Sequence, residues 1–233
     1  MNDSFSEFYM TFMENMMMYE CMDNITYEAI QKNHKSFFFV SAGKVNEDFM
    51  DRAYHRPNIV EKLNEYRHSN FVQFIYNEFE NYIYNCIKAV LISSPGKMTD
   101  KKITIGDLIK YDYDAERVIE FKVENVVEKL LRAPIKSVLE DIEKDYNIKH
   151  NLSKEELQNL NRFSEIRNLY AHRRGIIDKK FIRNMGKKKY QEGIFLKLGS
   201  IEFHEYYQFI KIISTKFDQA LGIAYPNLVS KGF

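Results

Sequence analysis

The chain has 233 residues and a net charge of +1, with 18 Phe, 16 Tyr and 10 Met but no Trp. Its 45% apolar content excludes a disordered polymer, and 9 Gly with 4 Pro are too few turn formers for a sandwich or barrel of many short strands. An all-α domain with a substantial core is the expectation.

In chain order, the N-terminal "MNDSFSEF" is acidic and lacks the basic start and apolar run of a secretory signal. The segment "SEFYMTFMENMMMYECM" reads as a helix with a broad Phe/Met/Tyr face, and its methionines as core or interface filler. "SFFFV" (36–40) is too short to classify. "NFVQFIYNEFENYIYNCIKAVLI" (70–92) is a long helix, apolar over much of its circumference and therefore deeply buried. Its most apolar part, 82–92, carries Asn85 and Lys88 and is too short to span a bilayer. "SSPGK" then ends the helix; Gly96-Lys97 lacks the flanking residues of a phosphate-binding loop.

"TIGDLIKY" predicts a short helix, and "DAERVIEFKVENVVEKLLR" and "PIKSVLEDIEKDY" two more, with Pro134 in the first turn of the second. Ser153 and Glu156 form a capping box that opens "SKEELQNLNRFSEIRNLYAH". "DKKFIRNM" is a short helix, a small hairpin is expected near 187–199, and a long amphipathic helix, "IEFHEYYQFIKIISTKFDQAL", closes the chain. One domain, 1–233, follows: a bundle over about 60–225, with residues 1–55 as an N-terminal helical elaboration. A soluble cytoplasmic protein that does not enter a membrane is expected. Cys21 and Cys86 have no metal-ligand spacing and read as buried, reduced thiols.

The small net charge hides an asymmetry. Residues 1–30 hold six acidic side chains and no Lys or Arg, whereas residues 167–189 hold nine basic ones against Asp178 alone. Such a concentration attracts phosphate.

Within it lies "EIRNLYAHRRGIID" (165–178). On a helix, Phe163, Ile166, Leu169 and Tyr170 share the core face, with Ser164, Asn168 and Ala171 opposite. Arg167 and His172 flank that small-residue stripe about 140° apart. One helix cannot easily aim both at one atom, but two copies about a twofold axis can. Histidine exchanges protons near neutral pH, and the guanidinium fork matches phosphate oxygens. That pairing suits cleavage of RNA by its own 2′-hydroxyl, with Asn168 hydrogen-bonding either group or the phosphate. No metal-ligand set is visible, and attack by an internal hydroxyl needs no metal or other cofactor. His204 reads as a surface or half-buried histidine, and Glu165 as an acid able to orient a basic neighbour.

"RNLYAHRRGIID" resembles the HEPN superfamily, whose signature is an arginine, a polar residue and, after four to six intervening positions, a histidine near the end of a bundle helix. Arg167, Asn168 and His172 match it, and Gly175-Ile176-Ile177-Asp178 with Phe181 look like prokaryotic members. The resemblance implies a helical bundle that homodimerises to join two Arg-x4-His motifs. It implies a metal-independent endoribonuclease, of the toxin or abortive-infection type used in antiviral defence, with an antitoxin or regulatory protein as a further partner. Arg167, Asn168 and His172 would be catalytic; Arg173, Arg174, Lys179 and Lys180 would hold the RNA backbone. One subgroup carries a modifiable tyrosine two positions after the histidine; Arg174 stands there in this chain. The competing expectation is a non-catalytic helical module that binds RNA, a nucleotide or a partner protein through the same basic surface.

Overall fold

A helix whose apolar residues run around most of its girth must sit in the middle of a bundle, and α1 (Ile59–Ser93) does. Val72, Ile75, Tyr76, Phe79, Tyr82, Ile83, Cys86, Ile87, Val90 and Leu91 of α1 are all buried. The computed structural model describes residues 10, 11, 13, 14, 59–98, 102–186 and 190–229. Most of the expected N-terminal elaboration, "SFFFV", Cys21 and Lys187–Lys189 lie outside the described residues. Of the opening helix, Met10, Thr11, Met13 and Glu14 are helical, and the Tyr207 hydroxyl donates to the Met13 sulfur at 3.0 Å.

After a 3-10 turn at Pro95–Lys97 come α2 (Ile105–Lys110), α3 (Ala115–Leu131), α4 (Ile135–Tyr146), α5 (Lys154–Arg173), α6 (Lys179–Met185), α7 (Ser200–Ala224) and α8 (Pro226–Val229). The fold is all-α. Helices α3, α5 and α7 pack around α1; α4 lies against α3 and α5, and α6 against α5. Each contributes an apolar stripe at helical spacing: Ile135, Val138, Leu139, Ile142 and Tyr146 on α4, and Phe203, Tyr207, Ile210, Ile213 and Phe217 on α7. Cys86 is a buried free thiol.

The boundaries follow local chemistry. Asp114 caps α3 by accepting from the Glu116 and Arg117 N–H groups, and Thr104 with Asp107 forms a capping box on α2. Pro134 is the residue just before α4, one position earlier than expected, with extended ψ of 140°. The Gly96-Lys97 pair serves the fold: the Lys97 ammonium donates to the Tyr225 hydroxyl at 2.7 Å, and that hydroxyl donates to the Tyr146 carbonyl at 2.7 Å. This ties the start of α8 to the end of α4.

The expected hairpin is absent from the described part of 187–199. Residues 193–196 pair instead with 175–177, through one isolated antiparallel bridge between Ile176 and Phe195. The Ile177 N–H donates to the Ile194 carbonyl, the Gly193 N–H to the Ile177 carbonyl and the Leu196 N–H to the Gly175 carbonyl, all within 2.9 Å. The partner of 193–196 lies before α6 and not within 187–199. Among the described residues no helix is long and apolar enough to cross a membrane.

Candidate active site

The motif sits at the C-terminal end of α5, and sequence chemistry places it there. Ser153 accepts from the Glu156 N–H while the Glu156 carboxylate accepts from the Ser153 N–H, so the helix starts where the capping box predicts. Leu160, Phe163, Ile166, Leu169 and Tyr170 bury one face. The helix stops at two consecutive left-handed residues, Arg174 (φ 51°) and Gly175 (φ 78°). Both donate their N–H groups to the Leu169 carbonyl. A Cβ at position 175 would stand 2.5 Å from the Phe195 ring, so glycine is required for space as well as for conformation. Ile177 is then buried, and Asp178 caps α6 by accepting from the Phe181 N–H at 2.8 Å. The trailing "GIID" therefore has a structural account residue by residue.

Arg167 does not stand free at the edge of a cleft. Its side chain is only 17% exposed, and its guanidinium forms an ion pair with Glu80 of α1 and lies 4.6 Å above the Tyr76 ring. The second guanidinium nitrogen, Nη1, donates to Asn168 Oδ1 at 3.0 Å, while Nε is buried without a hydrogen-bond partner among the described residues. Burial pushes the Glu80 carboxyl up, and the Arg167 charge pulls it the other way. Burial also raises the Tyr76 phenol far above its ordinary range, opposed by a hydrogen bond with Ser164. Ser164, placed by helical geometry on the small-residue stripe, thus meets α1. Ala171, on the same stripe, is exposed.

Asn168 and His172 are one turn apart on one face and line a cleft of about 220 Å³ with Glu165, Leu169, Arg173 and Lys180. His172 is exposed. Arg167 is not among the lining residues, and it reaches the cleft through Asn168. Because it donates to the amide oxygen, it leaves the NH₂ end of Asn168 as the group available for hydrogen bonding at the cleft.

The four expected RNA-backbone cations divide. Arg173 and Lys180 line the cleft, while Arg174 and Lys179 are exposed beside it. Arg173 is also held by Asp178 at 3.3 Å, and the Phe181 N–H, with Arg173 adding to it, keeps the Asp178 carboxyl below its usual range. His204 is exposed on α7, within 3.4 Å of Gln208. Sequence reasoning missed Glu80 and Tyr76. One turn apart on α1, they are an acid and an aromatic among many, with no spacing to connect them to the motif.

Comparison with protein-family models, with characterised proteins and with solved structures gives no match for this chain.

Proposed function

We propose that this chain is a metal-independent endoribonuclease of the HEPN type, acting as a toxin or antiviral effector, with its reactive cleft completed by a second copy of itself. The observation that carries the reading is the chain of contacts Glu80–Arg167–Asn168 leading to a cleft shared with exposed His172 and rimmed by Arg173 and Lys180. In the reaction a base removes the proton of the 2′-hydroxyl. That oxygen bonds to phosphorus, and the bond from phosphorus to the 5′-oxygen breaks as an acid protonates the leaving oxygen. The products are a 2′,3′-cyclic phosphate and a free 5′-hydroxyl. Two His172 side chains across a twofold axis supply base and acid. The Asn168 amide donates to a phosphoryl oxygen as charge gathers there. Arg167, tied to Glu80 and Tyr76, is a positioning residue in this geometry and contributes its charge from behind Asn168. Arg173, Arg174, Lys179 and Lys180 hold the backbone, so binding weakens as salt rises.

The test incubates single-stranded RNA with the wild-type protein, His172→Ala and Arg167→Ala in EDTA. Cyclic-phosphate ends from the wild type, and loss of cleavage in the variants, are expected. Equal cleavage by all three overturns the mechanism. A second reading, a non-catalytic module that binds RNA or a partner protein, is favoured by the ion pair of Arg167 with Glu80 and its contact with the Tyr76 ring, which already give it a structural role. RNA bound without turnover under any condition would select it.

A further inference from the structure

A cavity of about 650 Å³, separate from the motif cleft, lies between α5, α7 and the 190–198 segment. That volume falls in the range of small-ligand sites. One side is flat and apolar: Ile166, Phe209 and the ring of Tyr206, which stacks on Phe163 at 4.6 Å with the planes 15° apart. The rim is polar and chemically mixed: Asn159 and Gln191 bring amides that both donate and accept, Arg162 donates and Glu205 accepts. No hydrogen bond or ion pair joins Arg162 or Glu205 to another described side chain, although Arg162 lies close enough to draw the Tyr206 phenol down against a burial that takes it to about 12. A ligand matching this cavity has a flat aromatic face, an edge carrying both donors and acceptors, and a negative charge for Arg162.

We propose that this groove binds a nucleobase with its attached phosphate, stacked on Tyr206 and read at its edge by Asn159, Gln191 and Glu205. Two sources supply that chemistry: a free mononucleotide, or an unstacked base of single-stranded RNA. RNA as the source rests on the preceding reading. Ile177 lines this groove and Asp178 the motif cleft, so the two sites adjoin across a single peptide bond of the turn after α5. A strand with one base in the groove would leave its backbone beside the cations of the cleft. Recognition of splayed bases by aromatic stacking and edge hydrogen bonds selects single strands over duplex.

The probe is a single-stranded 2′-O-methyl hexanucleotide, which cannot be cleaved, carrying 2-aminopurine, whose fluorescence falls when it stacks. Titration of the full chain should quench it. Arg162→Gln and Glu205→Gln, both exposed changes, should each weaken the affinity roughly tenfold, the scale of one lost charge-assisted hydrogen bond. Tyr206→Leu should abolish quenching while thermal melting shows that the chain still folds. The same probe annealed into a duplex should not be quenched. Displacement by AMP, GMP, CMP or UMP assigns a free nucleotide as the source; a failure of all four to compete assigns RNA. No quenching by the wild type, or unchanged affinity in both Gln variants, overturns the proposal. With the wild type, a failed ribonuclease reading shows as unmodified RNA left intact while quenching of the probe is preserved.

Discussion

Arg167 on α5 and Glu80 on α1 form an ion pair between positions 87 residues apart, and both side chains are less than one-third exposed. The pair sits over Tyr76 and behind Asn168, so it joins the central helix to the candidate cleft. Removing one partner leaves the other charge desolvated and uncompensated.

Glu80→Gln and Arg167→Gln should therefore each destabilise the fold by about 1–3 kcal/mol, less than a fully buried pair because some water reaches both. The double variant should lose less than the sum, with a coupling of about 1 kcal/mol or more. Urea unfolding of the four proteins measures this. Additive losses would mean that the pair contributes nothing beyond its separate side chains.

The end of α5 separates folding from binding. Arg174 is left-handed, a conformation that glycine adopts without the cost a side chain carries. Arg174→Gly is expected to leave stability unchanged or raise it by up to about 1 kcal/mol, while weakening RNA binding through the lost cation. Gly175→Ala goes the other way, because its Cβ meets the Phe195 and Tyr170 rings at a positive φ. A loss of about 2 kcal/mol or more is expected. Urea midpoints and a filter-binding assay on both variants check these outcomes.

His150 gives the fold a defined acid response. It is buried between α4 and α5, where Nδ1 accepts from the Leu152 N–H at 3.1 Å and Nε2 lies 3.5 Å from Glu143. Burial holds its proton affinity below the ordinary value of 6.5, with Glu143 and Glu140 pulling weakly upward. The folded chain thus binds this proton less tightly than the unfolded chain does. The stabilisation is whole above pH 6.5 and is lost as pH falls from there through the lower folded value. Protonation of Nδ1 also removes the acceptor for Leu152. His150→Gln should flatten the fall in melting temperature between pH 7.5 and pH 5.5; an unchanged slope would assign that fall to other groups.

What the sequence reveals about this molecule is local. The capping box at Ser153 and Glu156, the stop at Gly175 and the cap at Asp178 each act within a few residues, and all three are legible as strings. The start of α1 is less so. Its first described turns, "IVEKLNEYRHS", are polar at positions that continue the helix beyond the apolar run, so the helix reaches back at least to Ile59 and not only to about residue 70. The pairing of 193–196 with 175–177 is hidden for a further reason: a turn signal shows that the chain reverses, not which segment it meets. The restraint on Arg167 by Glu80 belongs to the same class. Helical geometry gives the 140° that separates Arg167 from His172, but only the packing of α5 on α1 decides which of the two faces a neighbouring helix.

The contacts of 175–177 with 193–196 carry one more consequence, for length variation. They close a loop of about fifteen residues at its neck, and the entropy of such a closure rises only slowly as residues are added. Insertions after Met185 should thus lengthen the chain without loosening the turn that follows α5. Variants of this chain that differ there in length should keep the same His172 cleft.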